Sequence, residues 1–270
     1  ETGFCVLRVK VRGHRELVSV LGSAASVQPG EFIQCSGRWD NNRDHGMQFK
    51  TTFLKVMPPS SIEGIEKYLG SGMIKGIGPH FAKKLVKAYG ENVFDVIEKE
   101  PDRLLELKGI GGKRVERITS GWADQKAIRE IMVFLQSNGV GTSRAVRIYK
   151  TYGADAIPLV SENPYRLAKD IKGIGFKTAD QVAEKLGIEK TAMIRARAGI
   201  SYTLTDAVSE GHCGLPEDDL LPAAEKLLEI PTSILRDALQ LELQDETVVA
   251  DNMADQRCIF LGHLWNAEKL

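Results

Sequence analysis

The chain has 270 residues, and its 36 Lys and Arg side chains balance 36 Asp and Glu, so the formal net charge is zero. With 43% hydrophobic and 27% charged residues, the composition excludes disordered, collagen-like and disulfide-stapled proteins. Runs of the ~18 apolar residues that a membrane helix needs do not occur, and the N-terminus does not read as a signal peptide, so we expect no membrane contact and a cytoplasmic location. The cysteines and histidines lack ligand spacing, and we expect neither a metal site nor catalytic residues.

The zero net charge hides two regions of opposite sign. Residues 1–189 carry 29 basic and 22 acidic side chains, a net charge of +7, whereas residues 190–270 carry 7 basic and 14 acidic side chains, a net charge of −7. Because nucleic acid is negatively charged, it would attract the region with positive net charge and repel the region with negative net charge. We therefore expect any DNA-facing part to end near residue 189.

The first 58 residues have the character of a small β-barrel of four or five short strands. Alternation from Phe4 predicts a strand with one basic face and one apolar face, the latter formed by Cys5, Leu7, Val9 and Val11. Further β-rich runs follow, separated by turn residues that include Asn41–Asn42: Leu17–Leu21, Glu31–Trp39 and Met47–Val56. Ser60 or Ser61 is then expected to cap a helix that begins near Ile62.

Aromatic and basic residues interleave in this barrel, as they do in proteins that bind single-stranded nucleic acid. Core packing is the alternative, and we expect it for three phenylalanines: Phe32, Phe49 and Phe53. Arg38 and Trp39 stand beside a polar turn, and we keep both as candidate DNA-binding residues.

Four copies of a glycine–aliphatic–glycine motif punctuate the helical region between residues 62 and 188. They are Gly76-Ile77-Gly78, Gly109-Ile110-Gly111, Gly139-Val140-Gly141 and Gly173-Ile174-Gly175. Each copy is followed, six and nine positions after its first glycine, by apolar residues that share one helix face: Ala82 and Leu85, Val115 and Ile118, Ala145 and Ile148, Ala179 and Val182. Copies one and three are 63 residues apart and copies two and four 64, and Lys87–Gly90 recurs as Lys150–Gly153, so a two-motif unit has been duplicated.

A helix, a glycine turn and a second helix together predict a phosphate site. The turn presents the N–H groups of the second helix and the positive end of its dipole without a Cβ in the way. Contacts made by main chain carry no base information, so binding is expected to be independent of sequence. The candidates are the glycines of the motifs and the cations near them: Lys75, Gly76, Gly78, Lys83, Gly109, Gly111, Lys113, Arg114, Gly139, Gly141, Arg144, Gly173, Gly175 and Lys177.

The alternative is that the glycines form turns between the helices of an all-α array and bind no phosphate. Four copies in register with adjacent cations favour the phosphate interpretation, although individual copies can be inactive. The first has Pro79, His80 and Phe81 where the second has Gly112, Lys113 and Arg114, so we expect the first to bind more weakly. The third depends on Thr142, Ser143 and Arg144.

After residue 189, three helical segments precede two short β runs. The predicted helices are Ala192–Ser209, Pro216–Leu228 and Ser233–Leu243, and the β runs are Thr247–Ala250 and Arg257–Leu261. This order resembles a winged helix. Its acidity favours a packing or spacer role over DNA reading.

The glycine motifs are those of the helix-hairpin-helix, and the barrel before them resembles an OB-fold. Together with the run Gly64–Gly78, this order closely resembles the N-terminal region of the RecD-like ATP-dependent DNA helicases over essentially the whole chain. The resemblance implies binding of single-stranded or forked DNA ahead of a superfamily 1 motor that moves 5′ to 3′, and a role in DNA repair and recombination. The protein's own C-terminal motor is then the expected partner.

The motor itself is absent from this sequence. No G-x-x-x-x-G-K-[ST] string occurs, so we expect no cofactor in this chain and no ATP hydrolysis by it alone. ATP and Mg²⁺ are expected only for the motor. The chain reads as a piece cut just before that motor, and we expect a Walker A lysine within about 30 to 40 residues after Leu270.

The predicted fold class is multidomain and mainly α. The boundaries are 1–58 for the OB-like β-barrel, 59–125 and 126–189 for two helix-hairpin-helix pairs, and 190–270 for the winged-helix-like α+β module. Three other functions stay open. The first is a RuvA-like junction scaffold, although that family has one pair of hairpins. The second is a fragment of an NAD-dependent DNA ligase, although its zinc module is missing. The third is a protein-interaction module.

Overall fold

The computed structural model describes residues 3–72, 77–253 and 256–268, and the chain divides into two compact units, Glu1–Ile157 and Pro158–Leu270. The predicted fold class is confirmed: strands come first, helices fill the centre, and strands and helices mix at the end. Within the described ranges no helix has the length and apolar character needed to cross a bilayer. The four predicted domain boundaries stay a prediction.

The barrel region is a four-stranded sheet with the order β1-β2-β4-β3. Its strands are β1 (Phe4–Val9), β2 (Val18–Ser23), β3 (Phe32–Asn42) and β4 (Gly46–Met57). Strands β2 and β4 pair in parallel, and the other neighbours pair antiparallel. Val20 and Leu54 supply its most buried apolar side chains.

Three details of the barrel differ from the sequence prediction. Val11 is 37% exposed because β1 ends at Val9 and Val11 belongs to the following loop. Phe32, expected in the core, is 61% exposed because it is the first residue of a strand at the sheet edge. The turn begins after Asn42, whose side-chain oxygen accepts the N–H groups of Asp44 and His45 at 2.8 and 3.1 Å.

Six helices follow, the last of which reaches across the unit boundary. They are α1 (Ile62–Gly70), α2 (Pro79–Tyr89), α3 (Val93–Lys99), α4 (Gly112–Ser137), α5 (Thr142–Tyr152) and α6 (Ala156–Glu162). Short 3-10 helices lie between them at Gly90–Asn92, Pro101–Glu106 and Gly153–Asp155. The predicted cap of α1 is confirmed, since the Ser61 hydroxyl accepts the Gly64 N–H.

The sequence duplication is visible in the backbone. Gly90, with φ 57° and ψ −133°, ends α2, and Gly153, with φ 58° and ψ −132°, ends α5. Both lie in a region that only glycine enters without strain, and a 3-10 turn begins at each. The recurring Lys-x-Tyr-Gly string therefore encodes the same turn twice.

One core joins the helices of the first hairpin pair. It centres on Tyr68 and Trp122, whose rings meet edge to face at 6.2 Å, and on Phe94, which stacks on Trp122 at 4.2 Å. The long helix α4 also holds the barrel, because the Gln136 side-chain amide donates to the Leu54 carbonyl at 3.0 Å.

A buried charge adds to this attachment. The Glu31 carboxylate, 2% exposed, accepts from Arg129 of α4 at 3.3 Å, and Arg129 also donates to the Tyr68 hydroxyl. Burial raises the pKa of Glu31 above its usual value even though Arg129 and the Gln28 N–H draw it down. The barrel and the helices are thus joined through a carboxylate with little access to water.

The second unit combines the fourth hairpin with residues 190–270, which we call the acidic module. Its helices are α7 (Arg166–Asp170), α8 (Phe176–Lys185), α9 (Met193–Ser209), α10 (Glu217–Leu228), α11 (Thr232–Gln244) and α12 (Gly262–Glu268). Strands β5 (Leu215–Pro216), β6 (Val248–Met253) and β7 (Gln256–Leu261) form an antiparallel sheet with the order β5-β7-β6. Gly199 lets α9 and α10 approach, since a Cβ there would lie 2.2 Å from the Leu228 side chain.

A partly buried ion pair joins the hairpin to that module. Arg195 of α9 binds both carboxylate oxygens of Asp180 on α8, at 2.8 and 3.0 Å, and donates to the Leu228 carbonyl at 2.9 Å. The Tyr165 hydroxyl donates to Asp180 at 2.7 Å, and burial together with that carboxylate raises the pKa of Tyr165 well above its usual range. Tyr165 therefore remains a donor at all physiological pH values.

Candidate nucleic-acid interface

The glycine motifs adopt a common turn wherever the structure describes them. Lys75 and Gly76 lie outside the described residues. In the other three copies the first glycine has positive φ, 92° at Gly109 and 85° at Gly139 and Gly173, which L side chains rarely adopt. The second glycine of each motif is the extended N-cap of the next helix: Gly78, Gly111, Gly141 and Gly175.

The predicted packing role of the motifs is confirmed. The aliphatic residue between the glycines is at most 4% exposed in each copy: Ile77, Ile110, Val140 and Ile174. The residues six and nine positions after the first glycine are also buried, and only Val115 reaches 9% exposure. Each hairpin is therefore fixed from its apolar side. Of the motif glycines that the structure describes, Gly78 is half-buried and the others are exposed: Gly109, Gly111, Gly139, Gly141, Gly173 and Gly175.

Each hairpin presents main-chain donors at the start of its second helix. The N–H of the third helical residue returns to the N-cap carbonyl in all four, for example from Arg114 to Gly111 at 2.8 Å and from Thr178 to Gly175 at 3.1 Å. The first two N–H groups have no partner inside a helix and point out along its axis. Pro79 occupies the first helical position of α2, so the first hairpin offers one N–H fewer.

The second hairpin combines exposed backbone with cations. Gly111, Gly112 and Lys113 are exposed. Arg114 is half-buried: it donates to the Gly109 carbonyl, and its guanidinium carbon lies 4.1 Å from the centre of the Phe81 ring. Arg114 thus tightens the hairpin and packs on α2 in addition to bringing charge.

A second cation, Lys84, also contacts Phe81 between the two hairpins. Lys84 Nζ donates to the Lys108 carbonyl at 3.3 Å and lies 5.4 Å from the Phe81 ring centre. Lys83 is exposed on α2, a little more than one turn from the start of that helix. The predicted cations Lys83, Lys113 and Arg114 therefore belong to the first hairpin pair, together with Lys84.

The third hairpin is attached to the barrel. The hydroxyl of the buried Thr142 accepts the Leu54 N–H at 3.2 Å and the Gln136 side-chain amide at 3.2 Å. Gly141 and Arg144 stay exposed. The glycine turn of this hairpin is therefore exposed, although Thr142, the first residue of its second helix, is buried against the barrel.

The fourth hairpin belongs to the second unit and differs in its first helical residue. Gly175 and Lys177 are exposed, whereas Phe176 between them is 4% exposed and stacks on Tyr165 and Tyr202. The sequence prediction did not include Tyr202. It lies 26 residues beyond Phe176 on another helix, so only the fold reveals the contact.

In the barrel, Trp39 is 48% exposed and meets the Phe49 ring edge to face at 5.3 Å. The His14 ring, which sequence reasoning missed, stacks on Trp39 at 6.0 Å. Arg38 is exposed, and the neighbouring Asp40 is paired with Lys50 at 2.6 Å, which lowers the pKa of Asp40 through the hydrogen bond. The barrel thus carries an exposed aromatic cluster of Trp39, Phe49 and His14, whereas Arg38 and Lys50, which pair across the next register position, lie on the other face of the sheet.

The chain resembles known proteins along most of its length. Residues 124–214 match the family model described as the ATP-dependent RecD2 DNA helicase HHH domain. Residues 1–59 match the OB-fold domain of ATP-dependent DNA helicase YrrC, and residues 71–124 match the SAM-like helix-hairpin-helix tandem. The ATP-dependent RecD2 DNA helicase of Deinococcus radiodurans is 28% identical over 223 residues, which are 80% of this chain and 31% of that relative. The chain therefore spans about a third of the length of this curated relative.

Proposed function

We propose that this chain is the DNA-binding region of a RecD2-like DNA helicase, whose OB-fold and helix-hairpin-helix models it matches, and that its hairpins bind DNA phosphates without regard to sequence. DNA binding by such a region is the coarse function that the family supports. The finer statement is that backbone amides at the hairpin turns make the contacts and that nearby Lys and Arg side chains strengthen them.

The second hairpin is the observation that carries this proposal. Its exposed Gly111–Lys113 backbone opens a 26-residue helix, so N–H groups and the helix dipole act on one point, and the exposed Lys113 is the second residue of that helix. Strong overall basicity is unnecessary, because much of the contact is main chain. The modest net charge of +7 over residues 1–189 is compatible with this mode of binding.

We further propose single-stranded or forked DNA as the substrate and a C-terminal helicase motor of the same protein as the partner. ATP and Mg²⁺ would act in that motor, since this sequence holds no phosphate-binding loop of the Walker type. A cytoplasmic location and a role in repair and recombination remain predictions. The acidic module would space the hairpins from the motor.

Fluorescence anisotropy with single-stranded, duplex, forked and four-way-junction DNA over a salt series tests the proposal. We expect binding to all forms at low salt, with a linear fall of log K against log salt. Replacing both Lys113 and Arg114 by Ala should lower affinity on every sequence and flatten the slope by about 1 to 2. Glu116→Gln on the same helix is a matched surface control.

Other outcomes would favour the rival functions. If the double variant with Ala at residues 113 and 114 folds and keeps its DNA affinity and salt slope, the side chains of the second hairpin do not contact DNA. Strong preference for junctions together with a tetrameric mass in solution would favour a RuvA-like scaffold. Absence of DNA binding at low salt, with capture of a protein partner, would favour an interaction module.

A further inference from the structure

A cleft of about 1110 Å³ opens within the second unit. The fourth hairpin and α7 form one wall, α9 forms the floor, and the end of α11 with the start of α12 forms the other wall. The hairpin glycine Gly175 is one of its lining residues, so a proposed phosphate site lies at its edge. The sequence pattern did not predict this cleft, most of whose lining residues lie beyond residue 189, where the DNA-facing part was expected to end.

Three aromatic rings stack beside the cleft. Tyr165 and Phe176 lie 5.7 Å apart with their planes at 21°, and Phe176 and Tyr202 lie 5.0 Å apart with their planes at 22°. All three residues line the cleft; Tyr165 and Phe176 are 6% and 4% exposed, and Tyr202 is half-buried. Tyr202 is thus the member of the stack with the most exposed surface.

The two walls differ in charge. Arg166, Lys169 and Asp170 of α7 line the hairpin side, where Asp170 lies 3.9 Å from Arg166, whereas Glu242, Asp245 and Glu246 line the α11 side. Arg197 on the floor is already paired with Glu242 at 2.6 Å and with Asp245. A polyanion entering the cleft would therefore keep its phosphates on the α7 side and turn its uncharged groups toward the floor.

We propose that this cleft binds an unpaired nucleotide of single-stranded DNA, whose base extends the ring stack on Tyr202 while its phosphate lies near Arg166, Lys169 and Gly175. The site rests on the proposed function and adds to it a reason to prefer unpaired DNA. Every base has an aromatic face, so stacking tolerates any sequence. A paired base is held in its own stack and reaches the ring only after unstacking, which costs free energy.

The test compares three ligands on the full 270-residue chain by fluorescence anisotropy: oligothymidylate, an abasic strand of the same length and a blunt duplex. Tyr202→Leu is expected to weaken oligothymidylate binding by about 5- to 150-fold, the usual effect of losing one base–aromatic stack. Binding of the abasic strand and of the duplex should change less than about 2-fold. The matched control Tyr202→Phe keeps the ring and should keep the wild-type affinity.

A second variant covers the case in which Tyr202→Leu does not fold. Thr205 is exposed, lines the cleft and lies on α9 close to Tyr202. Thr205→Glu places a negative charge there without disturbing the ring stack, and it should weaken single-strand binding more than duplex binding. Circular dichroism and thermal unfolding confirm that each variant is folded.

The outcomes separate this inference from the proposed function. Equal losses of affinity for oligothymidylate and the abasic strand would overturn the stacking site. So would an unchanged affinity for oligothymidylate in folded Tyr202→Leu, when Lys113→Ala still weakens binding. If wild-type protein binds no DNA, or if the hairpin variants leave binding unchanged, the proposed function fails first and the inference with it.

Discussion

The guanidinium of Arg114 lies 4.1 Å from the centre of the Phe81 ring, and the same side chain donates to the Gly109 carbonyl. Arg114 follows the second hairpin, whereas Phe81 lies in the first turn of the helix after the first hairpin. One side chain therefore couples the two hairpin turns of the first pair. A cation that sequence reasoning assigns to DNA also holds the protein together.

Phe81→Leu should destabilise the first unit by about 1 to 2 kcal/mol, because the variant loses the cation–π contacts of Arg114 and Lys84 as well as aromatic packing. Urea denaturation followed by circular dichroism measures the loss. Phe81→Tyr keeps the ring face and should lie near the wild type. If the Leu and Tyr variants are equally stable, the ring face contributes nothing.

Gly112→Pro isolates the backbone contribution to DNA binding. Proline is accepted at the first helical position, and the preceding Gly111 already has the extended backbone that proline requires, with φ −103° and ψ 174°. The change removes one N–H and no charge, so affinity should fall about 10- to 150-fold while the salt slope stays constant, as for a hydrogen bond to a charged group. Anisotropy titrations at several salt concentrations measure both quantities.

Gly112→Ala is the control for that variant, because a Cβ at Gly112 meets nothing within 4 Å and the N–H stays in place. The reciprocal change, Pro79→Ala, restores the missing donor at the first hairpin and should raise affinity. Equal binding by the Pro and Ala variants at residue 112 would show that main-chain amides do not contribute.

Arg195→Leu should destabilise the second unit by about 1 to 3 kcal/mol, because it leaves the partly buried Asp180 carboxylate without its bidentate partner. The double change Arg195→Leu with Asp180→Leu should recover much of the loss, since neither charge then remains buried. Thermal and urea unfolding of the single and double variants give the coupling free energy. A double variant as unstable as the sum of the two single variants would contradict a coupled pair.

The raised pKa of Glu31 predicts that the stability of the first unit depends on pH. Its folded pKa is raised above the usual value of 4.5, so the folded state holds this proton more tightly than the unfolded state. The stability contributed by Glu31 should fall as the pH rises from about 4.5 through the raised pKa. Glu31→Gln removes this fall, which urea titrations from pH 4 to 8 reveal as a changing difference from the wild type.

Glu63 provides the contrasting control, because its pKa is lowered by the hydrogen bond and charge of Lys67. Its contribution is present above the usual pKa and lost as the pH falls through the lowered one. Glu63→Gln should therefore change the pH dependence in the opposite sense and only slightly, since the group is fully exposed. The same slope for both variants would reject the assignment of Glu31.

Local repetition made most of the fold predictable. The glycine at each turn and the apolar residues at fixed distances after it encode one packed hairpin, and Ala179 and Val182 are buried as their spacing predicts. The helices and strands after residue 189 also begin and end close to their predicted positions. Such features depend on neighbouring residues, which periodicity records.

Tertiary contacts explain what the sequence did not predict. The exposure of Phe32 depends on its place at a sheet edge, and the stack of Phe176 on Tyr202 joins residues 26 positions apart. Arg114 shows the same limit at the candidate site, since its charge is evident from sequence and its contact with Phe81 is not. Periodicity cannot report which side chains from different helices meet.

Helix α4 runs without interruption from the second hairpin turn to the third within the first unit. Its 26 residues give a length of about 39 Å at 1.5 Å per residue, slightly more than the roughly 34 to 36 Å of one turn of B-form duplex. The helix therefore fixes the distance between the two turns at which phosphate contacts are proposed. On a duplex lying parallel to α4, the two turns would meet the same face of the double helix about one helical repeat apart.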